Sequence, residues 1–204
     1  MKAALLDYVL MLADNAFIHG HRLSEWCGHA PELEVDLALT NLSLDDLGAA
    51  RQLYQYAVEL ENLGHDEDWF PYQRDTRAFR NVLLVELPKG NFAETMARCL
   101  YFDTYQFLFY TALKQGSDSR LAAIAEKSLK EVTYHLRFSR EWVIRLGDGT
   151  EESHDKMLQA LTRYKSYTGE LFQPVEYELT LIEQGCIPDP RTLKTAWINL
   201  VRDV

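Results

Sequence analysis

Two runs of positions, each repeating at alternating intervals of four and three residues, constrain this chain more than any other feature of its sequence. Val35, Leu39, Leu42, Asp46, Ala49, Leu53, Tyr56 and Leu60 form one run; Leu121, Ala125, Ser128, Val132, His135, Ser139, Trp142 and Leu146 form the other. The rhythm matches the 3.6-residue turn of an α-helix, so each run is one inward stripe on a long helix. A stripe of that length needs facing stripes on other helices, which points to a bundle. A carboxylate, Asp46, interrupts the first stripe, and His135 is the only ionisable member of the second.

Helix start and stop signals divide the rest. The periodicity predicts a first helix from about Ala3 to Trp26, ended by Gly28 and Pro31, and a second from about Pro31 to Leu63, ended by Gly64. Residues 66–89, charged and holding Pro71 and Pro88, show no sustained period and receive no assignment. Asn91 followed by Glu94 is a capping-box start for a third helix reaching about Gln115, and a fourth runs from about Ser119 to Leu146. Three shorter helices follow: Thr150 to Thr168, Pro174 to Gln184, and one opened by Asp189 and Pro190. The expectation is a single all-α domain over residues 1–204, a ferritin-like four-helix bundle with a long crossover and shorter C-terminal helices.

Composition removes several function classes. Acidic residues outnumber basic ones 31 to 21, a formal charge of -10, which repels a nucleic-acid backbone. Cys27, Cys99 and Cys186 are odd in number and form no CxxC pair, which predicts a reducing compartment, no sulfur-ligated metal, and small buried side chains. Asp7 and Asp14 break the apolar N-terminus, so it does not read as a signal peptide. The longest run free of Asp, Glu, Lys and Arg is ten residues, Thr104 to Leu113, about half of a membrane crossing. The expected location is cytoplasmic, with no nucleic-acid and no membrane partner. No GxGxxG, P-loop, GxSxG or HExxH motif occurs.

A bundle of this kind commonly holds two irons on inward carboxylates and a Glu-x-x-His pair from each of two helices. Here such pairs would fall at 46 and 49 and at 132 and 135, and each helix keeps half: Asp46 is followed by Ala49, and His135 is preceded by Val132. Alanine and valine have no electron pair to give a metal. Glu131 shares a face with His135 and is the one shifted ligand available, while Asp103 and Asp14 are the candidate carboxylates of the third and first helices. The reading favoured by the residues is that no metal binds. Asp46, Asp103 and His135 then satisfy one another, with Arg51 or Arg137 as a further partner. The other histidines, His19, His21, His29, His65 and His154, fall in no ligand-spaced group and read as surface or capping residues.

Four blocks of the chain resemble a known family. They are Glu25 to Arg51 (EWCGHAPELEVDLALTNLSLDDLGAAR), Leu84 to Thr95 (LVELPKGNFAET), Tyr134 to Arg140 (YHLRFSR) and Asp189 to Trp197 (DPRTLKTAW). Together they resemble the PaaC family, the structural, non-catalytic subunits of phenylacetyl-CoA epoxidases, over most of the chain. The resemblance implies a ferritin-like fold and a role in aerobic phenylacetate degradation as part of a monooxygenase complex. It implies no catalytic residue and no cofactor in this chain. A homologous catalytic subunit would hold the di-iron centre, and a reductase with flavin and iron-sulfur groups would deliver electrons from NADPH. Members of that family continue for some tens of residues past the position of Val204, so a further C-terminal segment is expected.

Two surface expectations complete the reading. Arg74, Arg77, Arg80, Asn81 and Lys89 form a local basic group, and the loop Arg77, Ala78, Phe79, Arg80, Asn81 is the candidate contact for an acyl-CoA at a subunit interface. The competing reading pairs these arginines with Asp66, Glu67, Asp68 and Asp75. Tyr101, Phe102, Tyr105, Phe107, Phe109 and Tyr110 exceed one helix face, so some, with Phe109 as the example, are expected to point outward toward a partner or under residues 66–89. Against the structural-subunit reading stand a self-sufficient di-iron oxygenase or oxidase using Asp46, Asp103, Glu131 and His135, and an adaptor unrelated to oxygenases.

Overall fold

The computed structural model describes all 204 residues, and every regular element in it is helical. In chain order these are α1 (Lys2–Ser24), α2 (Leu33–Glu61), α3 (Trp69–Gln73), α4 (Leu83–Glu86), α5 (Phe92–Leu113), α6 (Ser119–Gly147), α7 (Glu151–Lys165), α8 (Glu176–Glu183) and α9 (Lys194–Arg202). Short 3₁₀ turns sit at Thr76–Ala78, Gly169–Phe172 and Pro190–Leu193. The bundle is made of α1, α2, α5 and α6, with α1 packed along α2 and α5 along α6. This is the ferritin-like arrangement with its long crossover at residues 62–91. No helix is long and apolar enough to cross a membrane.

The stripes fall inward as their spacing requires. Val35, Leu39, Leu42, Asp46, Ala49, Leu53 and Tyr56 are buried on α2, as are Leu121, Ala125, Ser128, Val132, His135 and Ser139 on α6. The Asn91–Glu94 capping box starts α5 as expected, with Asn91 Oδ1 accepting from Glu94 N at 3.0 Å and Glu94 Oε2 accepting from Asn91 N at 2.8 Å. At the end of α2 the stop comes earlier than Gly64: Asn62 takes the left-handed conformation at φ 61° and its N–H caps Val58 O.

Helix α5 departs most from expectation. Fifteen of its 22 residues are buried, so it is enclosed on every side. Phe109 is buried at 3% exposure and does not point outward. The covering comes from the C-terminal helices and turns: Trp197 Nε1 donates to Tyr101 O at 3.0 Å, Tyr101 OH donates to Leu161 O at 3.0 Å, and Phe172 packs edge-on against both Tyr105 and Trp197. The cysteines are also unlike one another, with Cys99 buried, Cys186 half-buried and Cys27 exposed.

Residues 62–91 are held by side chains reaching in from the helices. Arg74 stretches from the crossover to Asp14 on α1, which is fully buried, and both guanidinium nitrogens Nη1 and Nη2 bond its carboxylate. Asp14 also accepts from Tyr54 OH at 2.7 Å and from Arg80 N at 2.9 Å. The guanidinium lies 4.6 Å from the Phe79 ring centroid. Further along, consecutive carbonyls are taken in turn: Glu86 O by Arg22, Leu87 O and Pro88 O by the buried Arg98, and Lys89 O by Thr95. An irregular segment must find partners for its backbone groups outside itself, and here α1 and α5 supply them.

Arg74 therefore neutralises a carboxylate that has no access to water. Arg74→Met should destabilise the fold by about 3–5 kcal/mol, the loss typical of an unpaired buried charge. Chemical denaturation checks this. The double variant Asp14→Leu with Arg74→Met should recover part of the loss, and a double variant no more stable than Arg74→Met would contradict the ion-pair account.

Candidate functional site

Each of the four bundle helices brings one histidine or aspartate to a shared polar region of the interior. They are His19 from α1, Asp46 from α2, Asp103 from α5 and His135 from α6, all at most 3% exposed. The same alternating spacing places them: Tyr8, Leu12, Asn15, His19 and Leu23 are buried along α1, and Met96, Cys99, Asp103, Gln106, Tyr110 and Leu113 along α5. Helices α1 and α2 come close beside this point because residue 20 is glycine. A Cβ there would lie 3.1 Å from Ser43 O and 3.2 Å from Asp46 Cβ, and Ser43 Oγ donates to Gly20 O at 2.7 Å.

The polar groups divide into three sets. His19 Nδ1 lies 2.8 Å from Asp46 Oδ2, a pair wholly inside the bundle. Asp103 Oδ2 accepts from Ser139 Oγ at 2.8 Å. His135 Nε2 turns toward the rim, 3.1 Å from Oδ2 of the half-exposed Asp45. The expected mutual bonding of Asp46, Asp103 and His135 is thus corrected, because each is bonded to a neighbour that sequence reading did not select. Arg51 and Arg137 take no part: they pair with Glu67 and Glu141 on the surface. His19 is corrected from a surface residue to the partner of Asp46. The other four, His21, His29, His65 and His154, bond locally to Phe17 O, Cys27 O, Glu61 and Gly147 O.

This donor set does not fit a pair of irons. Ala49 and Val132 fill their interior positions with hydrocarbon, at 5% and 3% exposure. Glu131, the shifted candidate, lies at the outer side with Lys127 Nζ 3.8 Å away. Asp14 is committed to Arg74. No three His, Cys, Asp or Glu side chains converge within reach of one ion. Nucleophilic chemistry is also unsupported: Cys99 faces His19 Nε2 at 3.9 Å, but burial pushes its thiol well above the ordinary value, away from the reactive thiolate.

Burial and mutual charge shift the titration of these interior groups. Burial pushes Asp103 from the usual 3.8 up to about 6, with His135, His19 and the Ser139 hydroxyl opposing the rise. For His135, burial acts to lower the pKa, while the hydrogen bond to Asp45 and the charges of Asp46 and Asp103 reverse the sign and leave it raised. Glu131 is raised by partial desolvation.

The loop Arg77 to Asn81 lies on the surface, away from this centre. Arg80 reaches Asp7 at 2.9 Å and its guanidinium lies 5.6 Å from the Tyr177 ring centroid. Asn81 Nδ2 donates to Glu86 Oε2 at 3.0 Å. Arg77 is the member of the group whose guanidinium makes no ion pair; its backbone N–H is capped by Asp75. The competing pairing with Asp66, Glu67, Asp68 and Asp75 is corrected for Arg74 and Arg80, whose carboxylate partners are Asp14 and Asp7 on α1.

Comparison with known proteins gives two matches. The family model described as phenylacetic acid catabolic protein, which covers PaaA and PaaC, matches residues 1–204. The C subunit of the 1,2-phenylacetyl-CoA epoxidase of Escherichia coli (strain K12) is 51% identical over 193 residues, covering 95% of this chain and 77% of that protein.

The buried protons set the pH dependence of stability. Folded Asp103 holds its proton up to about pH 6 whereas the unfolded chain releases it near 3.8, so its contribution is fully favourable in acid and is lost as pH rises through that window. A raised His135 likewise stabilises below its unfolded pKa and loses that contribution as pH rises through its folded value. The two act in the same direction. Asp103→Asn should flatten the fall in Tm between about pH 4 and pH 6, removing roughly 2 kcal/mol of pH-dependent stability over that window. Parallel Tm profiles for the variant and the native protein would contradict this.

Proposed function

This chain belongs to the phenylacetic acid catabolic protein family, and on that premise we propose that it is the structural, non-catalytic subunit of a multicomponent phenylacetyl-CoA ring epoxidase. In this reading a homologous catalytic subunit holds the di-iron centre, a reductase with flavin and iron-sulfur groups draws electrons from NADPH, and this chain binds no cofactor. The observation that carries it is the bundle interior. Ala49 and Val132 stand where ligands would be needed, and Asp46, Asp103 and His135 are bonded to His19, Ser139 and Asp45. Similarity to the C subunit of an epoxidase supports the same assignment.

The work of such a subunit is to be rigid and to be bound. Buried pairs such as His19–Asp46 and Arg74–Asp14 fix the helices and the crossover in one register. An outward stripe on α2, Leu33, Leu37 and Leu44, is 71%, 57% and 60% exposed, apolar surface suited to a protein partner. For acyl-CoA, the loop Arg77, Ala78, Phe79, Arg80, Asn81 is the proposed contact. Within it the free guanidinium of Arg77 is the group able to meet a phosphate, since Arg80 is engaged with Asp7. The alternative, a self-sufficient di-iron enzyme, would require Glu131 to turn inward and Asp46 to leave His19, and no contact favours either.

Reconstitution tests the reading. The isolated chain should form no epoxide from phenylacetyl-CoA, oxygen and reductase, and activity should appear when the catalytic subunit is added. In that complex Arg77→Glu should raise the KM for phenylacetyl-CoA several-fold with kcat little changed. Turnover by the isolated chain would overturn the non-catalytic role, and an unchanged KM would remove the acyl-CoA contact.

A further inference from the structure

We propose that the centre of the bundle binds a water molecule that bridges Asp103 Oδ1 on α5 and His135 Nδ1 on α6. Both atoms are buried without a protein partner, although the second polar atom of each side chain is bonded. Ser128 Oγ and Gln106 Oε1, about one to two turns along α6 and one turn along α5, are also without partners. These four atoms lie on two adjacent helices, and Tyr8 OH and the Nε and Nη2 of Arg98 are the other buried side-chain atoms without partners. A buried carboxylate oxygen left without a donor is strongly unfavourable, and native interiors resolve such groups with internal water.

The structure shows no direct bond between these two atoms, and their hydrogen-bonding roles suit a water between them. His135 Nε2 faces the Asp45 carboxylate, so it carries a proton, and Nδ1 of the neutral ring is then an acceptor. Ionised Asp103 Oδ1 is an acceptor too. Two acceptors cannot bond each other, but one water can donate to both. When His135 is cationic its Nδ1 becomes a donor, and the same water accepts from it while donating to Asp103. Water therefore serves both protonation states of the ring, whereas a metal ion would need the neutral ring and finds no third His, Cys, Asp or Glu donor in reach. With Asp45 half-exposed, the chain Asp103, water, His135, Asp45 connects the interior to solvent.

A crystal structure of the native protein at atomic resolution, with anomalous data at the iron and zinc edges, tests this directly. The expected result is a density peak without anomalous signal, within hydrogen-bond distance of both Asp103 Oδ1 and His135 Nδ1. A peak with anomalous signal, a direct Asp103–His135 hydrogen bond, or no density between them would each overturn the proposal. In solution, water deuteron relaxation dispersion should lose the contribution of one long-lived water in Asp103→Leu. An unchanged dispersion in that folded variant would also overturn it, and the native crystal structure decides the matter if the variant does not fold.

Discussion

A charge buried in a helical bundle must find a partner within reach, and that requirement organises this molecule. Asp46 is held by His19 across the α1–α2 contact, and Asp14 by Arg74 from the crossover. Removing either partner would strand a carboxylate in apolar surroundings. The first pair fixes the register of two bundle helices, where Gly20 permits their close approach. The second draws an otherwise irregular segment onto the bundle and thereby sets where Arg77, Arg80 and Asn81 stand on the surface. Asp103 has a hydroxyl and no cation as its partner, and burial pushes its carboxyl up to about 6 against the opposing effect of the Ser139 bond.

The same polar interior bears on function. A di-iron centre needs several inward carboxylates and imidazoles whose lone pairs are free to converge. In this chain the remaining candidates are turned to one another or to the rim, and two positions are hydrocarbon. The polar centre makes its own hydrogen bonds at His19–Asp46, Ser139–Asp103 and His135–Asp45, and α2 carries a stripe of exposed leucines on its outer side.

Much of this was legible in the sequence, for physical reasons that also mark where legibility stopped. The stripes on α2 and α6 are long and regular, so their helices, their inward faces and the half-motifs at 46/49 and 132/135 could be read from spacing alone. Applied to α1, the same spacing through Tyr8, Leu12, Asn15 and Leu23 places His19 inside, a signal carried by the helix face and not by the histidine's local neighbours. Asp45 gave no signal, since it lies off the stripe and is reached only because His135 points outward at its Nε2. The crossover was illegible because its structure is set by Arg22, Arg98, Asp14 and Asn15, side chains distant in sequence. Phe109 misled for a related reason: the C-terminal helices bury a face of α5 that a four-helix count leaves exposed.

The central claim is that the polar groups inside this bundle are engaged without a metal and do not take up iron. Elemental analysis of the purified chain after anaerobic reconstitution with Fe(II) and removal of loosely held metal tests it most directly. The account predicts iron far below one atom per chain, unchanged by Asp103→Asn. Close to two irons per chain, lost on mutation of Glu131 or His135, would contradict it.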